Sequence, residues 1–152
     1  MITAALQADE VAPRELARVA PLLEEAGLPS DDLAEPGRRF WRFRDARGET
    51  IGIGGLELYG TEALLRSVLV VAARRRGGLG RGIVAWLLAE AGARGARRVF
   101  LLTTTAEPFF AALGFTVTGR AAVPPAIAAT REFATLCPAS AVCMTKGLPS
   151  RT

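Results

Sequence analysis

Arg75-Arg76-Gly77-Gly78-Leu79-Gly80-Arg81-Gly82 stands between the apolar run Leu64-Leu65-Arg66-Ser67-Val68-Leu69-Val70-Val71 and an apolar helical pattern from Ile83 to Ala91. Strand, basic glycine-rich turn and helix together make a phosphate-binding arrangement. Glycines let the main chain approach an anion and aim several N–H groups at it. The start of the helix adds N–H donors and a partial positive charge. The arginines supply full charges and forked donors. The plainer alternative is a strand-to-helix turn whose arginines serve solubility. A Walker loop would place Lys and then Ser or Thr after its last glycine, where Arg81-Gly82 stands. A dinucleotide fingerprint needs Gly-x-Gly-x-x-Gly and an acid at the end of the next strand, where this chain has Thr103-Thr104-Thr105.

Composition narrows the class. A chain of 152 residues, half of them apolar, can bury a real core and reads as one domain, residues 1–152. The net charge of +4 carries a single lysine, Lys146, among nineteen basic residues. The densest basic cluster lies in the glycine turn, which suits a compact anion better than a nucleic acid, whose binding would want basic residues interleaved with aromatics. No stretch has the length and apolarity of a membrane span. Met1 to Glu10 lacks the basic opening of a secretory signal. Two cysteines, Cys137 and Cys143, do not make a disulfide framework, and a cytoplasmic location is the expectation. With no histidine in the chain, zinc sites and histidine bases are set aside and no metal is expected.

Outward from the turn, periodicity predicts the remaining elements. Ile2 to Leu6 reads as a first strand. Pro13, Leu16, Val19, Leu22, Leu23 and Ala26 mark an amphipathic helix stopped by Gly27 and Pro29. Ser30 to Ala34 reads as a capped helical turn. Phe40 to Arg44 alternates aromatic with basic residues, as a half-solvated strand does. Ala46 to Glu49 is a hairpin turn, followed by a strand from Thr50 to Tyr59. Glycines 52, 54 and 55 in that strand predict a bulge or a close approach. After the helix come a buried strand Val99–Leu102, a short helix Glu107–Leu113 stopped at Gly114, and a strand Phe115–Thr118. Pro124-Pro125 opens a helix through about Leu136, and Ser140–Lys146 is the last strand. This order, a meander followed by a β-α-β crossover, predicts a mixed α/β sheet.

Three segments carry a resemblance. Arg75-x-x-Gly78-x-Gly80 resembles the coenzyme A loop of the GCN5-related N-acetyltransferases (GNAT). Val70-x-Ala72-x-x-Arg75 is similar to the strand end that leads into that loop. Phe109-Phe110-Ala111-Ala112-Leu113-Gly114-Phe115 resembles the segment closing the site from the other side. The resemblance implies the GNAT fold: a mixed, mostly antiparallel twisted sheet of six to seven strands, flanked by helices and split between the fourth and fifth strands. It implies acetyl-coenzyme A as co-substrate and transfer of its acetyl group to an amine. Implied cofactor contacts fall on Val68, Leu69, Val70, Arg75, Arg76, Gly77, Gly78, Leu79, Gly80, Arg81, Gly82, Thr104, Phe109 and Phe110. The family's usual tyrosine is Phe110 here, so the phenol that often protonates the departing thiolate is missing.

The C-terminal third, Arg120 to Pro124 and Thr130 to Met144, with Leu65-Arg66-Ser67 and Leu101 to Thr105, resembles the arsenic-resistance branch of that family. Its sister branch acetylates arsinothricin, an amino-acid-like arsenical. The expected partner is therefore a small amine, with no nucleic acid and no membrane, and with a second copy of the chain as a candidate. Transfer needs an oriented amine, a polarised carbonyl and a base. The N–H near Leu69 is the expected carbonyl donor and Glu57 the candidate base, its alternative being a surface charge at a strand end. Arg66 in an apolar strand must pair internally or meet a substrate anion. Arg131 is a second candidate clamp, or an exposed helical arginine. Ser67 and Thr103 complete the candidate substrate residues, although threonine caps on the next helix explain at least one of Thr103 to Thr105. The alternative function is an arsenical- or coenzyme A-binding protein that keeps the fold without transfer; Cys137 and Cys143 raise that idea, and unrelated packing is their plainer role.

Overall fold

A computed structural model describes residues 6–28, 30, 32–33, 37–71, 78–130, 133 and 140–149. The strands are β1 Gln7–Glu10, β2 Arg38–Arg44, β3 Thr50–Tyr59, β4 Glu62–Val70, β5 Arg98–Thr103, β6 Thr116–Val117 and β7 Val142–Gly147. The helices are α1 Leu16–Glu25, α2 Leu79–Ala93, α3 Glu107–Ala112 and α4 Pro125–Ala128. One mixed sheet carries the strands in the order β1-β2-β3-β4-β5-β7-β6. The crossover from β4 through α2 to β5 makes a parallel pair. The expected α/β sheet, with its meander and its β-α-β crossover, is the sheet found. Among the described residues no helix is long and apolar enough to cross a membrane.

The chain divides into two compact units, Met1–Leu56 with Ser67–Leu87 and Glu57–Arg66 with Leu88–Thr152. In the first, Val11, Leu16, Val19, Leu23, Leu33, Phe40, Ile53 and Leu69 form one buried cluster. These include the helical-spaced residues of α1, whose apolar stripe is thereby covered. Asp45 closes the β2–β3 hairpin, its carboxylate accepting from the N–H groups of Arg47 at 2.9 Å and Glu49 at 3.0 Å. Gly48 takes φ +85 in that turn. The glycines of β3 mark a close approach. A Cβ at Gly52 would lie 2.5 Å from both Ile83 Cδ1 and the Leu69 carbonyl oxygen, and one at Gly55 would lie 2.6 Å from the Phe40 ring.

Three expectations are corrected here. The first described strand is Gln7–Glu10; the strand expected at Ile2–Leu6 falls, except for Leu6, on residues 1–5, which lie outside the described ones. Its register, Gln7 against Arg44 through Glu10 against Trp41, brings Asp9 to Arg44 at 2.5 Å and Glu10 to Arg39 at 3.0 Å, so opposite charges fix the pairing. The strand β2 is not half-solvated: Phe40, Trp41 and Phe43 are all buried. Trp41 and Phe43 stack on Trp86 of α2, with ring centroids 5.3 and 5.4 Å away, while Phe40 covers Gly55 on β3. Both faces are thus occupied, and only the arginines reach water.

The second unit holds the other two corrections. Its cluster is Leu64, Phe100, Val123, Ile127, Phe133 and Cys143, with Tyr59 and Leu102 against it. The predicted strand Phe115–Thr118 shrinks to Thr116–Val117, because Phe115 is spent closing α3. Phe115 N–H donates to Phe110 O at 3.1 Å and Gly114 N–H to Ala111 O at 3.1 Å, with Gly114 at φ +96. That pair of bonds is the left-handed helix stop a glycine favours. Of the helix expected from Pro124 to about Leu136, α4 covers Pro125–Ala128 and stops before Thr130, while residues 131–132 and 134–139 lie outside the described ones. Thr130 ends it: its hydroxyl donates to Ile127 O at 2.7 Å and accepts from Phe133 N–H at 3.3 Å, local bonds that compete with the helical ladder.

Candidate functional site

In the first unit, β4 ends in an irregular way. Ser67 is the sole non-glycine residue among the described ones with positive φ, at +62, and it is buried. A left-handed residue breaks the strand's alternation and re-aims the main chain after it. Val68, Leu69 and Val70 come directly after it, with Leu69 buried and its neighbours half-buried. The next residue, Val71, donates its N–H to Ile51 O at 2.8 Å, so this edge is anchored on β3. Gly52 is the glycine that lets the Leu69 carbonyl and Ile83 come so near. In the sequence the kink shows only as a small polar residue within an apolar run, a signal too weak to predict it.

The turn after β4 lies partly outside the described residues, including Arg75, Arg76 and Gly77. Its far end is described: Gly78 takes φ +78, and α2 begins at Leu79. Gly82 N–H donates to Gly78 O at 3.3 Å as the first rung of the ladder. The N–H groups of Leu79, Gly80 and Arg81 precede that rung and open the helix as donors. Exposed Arg81 adds a full charge at the same end. A glycine-initiated helix start of this kind fits a phosphorylated ligand such as coenzyme A.

In the second unit, β4 and β5 run parallel in register at Glu62 with Arg98, Ala63 with Val99 and Leu64 with Phe100. The register goes no further, although β5 continues to Thr103. This is the expected parting of the fourth and fifth strands. Near it the structure brings Glu57 and Arg66 together. Arg66 Nη1 donates to Glu57 Oε2 at 2.8 Å, and both side chains are 0% exposed. The other oxygen of Glu57 accepts from the Tyr59 hydroxyl. Glu57 is therefore no surface charge, and Arg66 has the internal partner that its burial demands. Tyr59, which its place at a strand end did not single out, is the polar residue completing this cluster.

Thr103 caps the chain ahead of α3, its hydroxyl accepting from Ala106 N–H at 3.0 Å, as one of the three threonines was expected to do. Thr104 is exposed. Phe109 and Phe110 sit edge to face with centroids 5.0 Å apart, and Phe110 meets Phe115 at 5.6 Å. The Phe110 ring is buried in this aromatic stack and offers no proton donor. Arg131 and Cys137 lie outside the described residues. Burial pushes the Cys143 thiol above its ordinary value, with the charge of Arg120 pulling the other way. Among the described residues no group of histidine, cysteine and acidic side chains could hold a metal ion.

Comparison with known proteins places this geometry. No curated protein matches the chain. Among solved structures, it is similar to N-acetylglutamate synthase from Neisseria gonorrhoeae complexed with coenzyme A and N-acetylglutamate, at 18% identity and a TM-score of 0.77. That match covers 98% of this chain and 36% of that one, so the chain spans about a third of the synthase. It is also similar to Rv2747 from Mycobacterium tuberculosis in complex with CoA, at 23% identity and TM-score 0.75, covering 94% of this chain and 99% of that one. A GNAT-family acetyltransferase from Staphylococcus aureus aligns at 15% identity and TM-score 0.71, covering 95% of this chain and 100% of that one. At these identities the likeness shows the fold, the one the sequence resemblance implied. The profile of the acetyltransferase (GNAT) domain matches residues 36–117, more than half of the chain. From β2 through α3 to β6 these are the elements that build the kinked strand and the glycine-initiated helix, and the chain belongs to the acetyltransferase (GNAT) domain family.

Proposed function

We propose that residues 1–152 are a single acetyltransferase domain that moves the acetyl group of acetyl-CoA to the amino group of a small molecule. One observation carries this reading: β4 leaves its register with β5 after Leu64, turns left-handed at Ser67 and runs into a helix begun by Gly78. Main chain freed from one neighbour can hold an amide-bearing arm as an added strand does. Val68, Leu69 and Val70 are assigned that role. Arg75 to Gly82, with the helix start, are assigned the pyrophosphate, and Thr104, Phe109 and Phe110 the far wall. Bound acetyl-CoA supplies an activated acetyl thioester.

The chain's own residues do the rest. The Leu69 N–H polarises the acetyl carbonyl by donating to its oxygen. Glu57 receives the amine's proton through water, and Arg66 and Tyr59 hold its carboxylate in place. Ser67, Thr103, Arg66 and Arg131 are assigned to the acceptor. The resemblance of the C-terminal third favours an amino-acid-like arsenical such as arsinothricin as that acceptor, in a cytoplasmic arsenic-resistance role. With Phe110 unable to protonate the leaving thiolate, water takes that step.

A second reading, a binder of coenzyme A or an arsenical without turnover, draws on the absent phenol and on a Glu57 already engaged at both oxygens. Free-thiol release from acetyl-CoA, measured with a panel of amines that includes arsinothricin, separates the two. Amine-dependent release, lost in Glu57→Gln, is the expected result. Tight binding of acetyl-CoA with no release for any amine would favour the binder.

A further inference from the structure

A cavity of about 130 Å³ opens within the first unit between α1 and the β2–β3 hairpin. It is lined by Arg18, Val19, Leu22, Arg42, Thr50 and Ile53. Val19 and Ile53 are buried members of the cluster that also contains Leu69, and Leu22 packs against it. The floor is thus the apolar core itself, and two guanidinium groups and one hydroxyl make the rim. A volume below the usual range for drug-sized ligands limits the occupant to a small group, such as a carboxylate with a few carbons.

The charges around this cavity are not balanced. Arg38 has Asp32 at 2.9 Å, Arg39 has Glu10 at 3.0 Å and Arg44 has Asp9 at 2.5 Å. Arg42 has Glu15 at the looser distance of 3.8 Å and lies across the strand pair from Asp9, whose carboxylate is already held by Arg44. Arg18, exposed one turn into α1, has no acidic partner among the described residues. Arg18 and Arg42 thus stand at the mouth of an apolar pocket with no close carboxylate of their own among the described residues. Like charges held together repel, and a small anion placed between them relieves that repulsion. Guanidinium forks match a planar carboxylate with paired donors, and Thr50 adds a neutral one.

We infer that this cavity binds the carboxylate end of a small amino-acid-like molecule, with Arg18 and Arg42 on the carboxylate and Val19, Leu22 and Ile53 under its apolar carbons. As a subsite for the acceptor amine, this rests on the acetyl-transfer reading; as a carboxylate site, it does not. Its floor is continuous with Leu69, the residue assigned to the acetyl carbonyl, which ties the two.

Calorimetry without acetyl-CoA tests the site by itself. Each proteinogenic L-amino acid is titrated against its own carboxamide. At least one acid is expected to bind tenfold or more tightly than its amide. Arg18→Gln and Arg42→Gln each lose about tenfold for that acid, and Glu15→Gln, which removes the competing carboxylate, tightens it severalfold. Arg47→Gln, in the hairpin turn, serves as the unchanged control. Binding falls with added salt because the rim is open to solvent. Equal binding of acid and amide, no binding of any acid, or indifference to both arginine changes overturns the site. Under turnover, the arginine changes raise KM for carboxylate-bearing amines and leave kcat within a factor of two. Carboxylate binding without any thiol release would keep the cavity and sink acetyl transfer instead.

Discussion

Arg66 Nη1 lies 2.8 Å from Glu57 Oε2, and neither side chain touches solvent. In a buried pair, each charge is tolerable only because the other is there. Removing one partner leaves the other uncompensated and costs about 3–5 kcal/mol. Arg66→Met is expected to destabilise the protein by that amount in guanidinium denaturation. Arg66→Met with Glu57→Leu is expected to recover most of it, because no lone charge remains. A double variant as unstable as the single one would mean that the pair is not what the strand geometry needs.

Gly52→Ala puts a methyl 2.5 Å from the Leu69 carbonyl oxygen and from Ile83 Cδ1. Ile83 can shift its side chain, but the Leu69 carbonyl belongs to the backbone. The expected cost is about 1–3 kcal/mol, with a weakened affinity for acetyl-CoA as the Leu69 main chain moves. Gly54→Ala meets only side-chain ends of Leu87 and Ile83 and should disturb acetyl-CoA binding less. Thermal unfolding and calorimetry with the coenzyme check both.

The stop of α3 depends on a lysine. Lys146 Nζ donates to Leu113 O at 2.7 Å, just before Gly114 at φ +96. Lys146→Met leaves that carbonyl without its donor and is expected to cost about 1–3 kcal/mol. Gly114→Ala is strained at that φ and also crowds Lys146 Nζ, which would lie 2.6 Å from the new methyl. The two variants should lose less together than the sum of their separate losses, since both act on one contact.

Burial holds the Cys143 thiol above its ordinary value of 9.0. A raised value means that the folded protein keeps its proton where the unfolded chain loses it. Stability from this source is complete below pH 9 and is lost as pH rises through the folded thiol's higher value. In a Cys137→Ala background, Cys143 should react with a disulfide reagent slowly in buffer and rapidly in denaturant. Fast reaction in buffer would place the thiol at the surface.

Local chemistry made much of this protein legible from its residues. The β3 boundaries, Thr50 and Tyr59, come from an apolar run between two turns. The proline at α1's entry and Gly114 after α3 mark their ends because only those residues suit the backbone there. The Gly78-x-Gly80 signature and the β-α-β order pointed to the GNAT fold. Less visible was β2, whose Phe40, Trp41 and Phe43 read as half-solvated until α2 brought Trp86 against one face. The kink at Ser67 and the break of α4 before Thr130 escaped the sequence for a similar cause: a lone serine or threonine bends a chain only where its neighbours supply the packing or the hydrogen bonds.

Sequence alone determined the family and the order of the elements, since these depend on spacing and on what glycine and proline permit. Only the tertiary structure decided which charges meet. Glu57 and Arg66 are nine residues apart and became a buried pair because β3 and β4 fold back on each other. Arg18 and Arg42 lie on a helix and a strand, and became the rim of one cavity because α1 packs over that strand's hairpin. Electrostatic partners are set by distance and burial in space, and neither quantity is written in the spacing of residues along a chain.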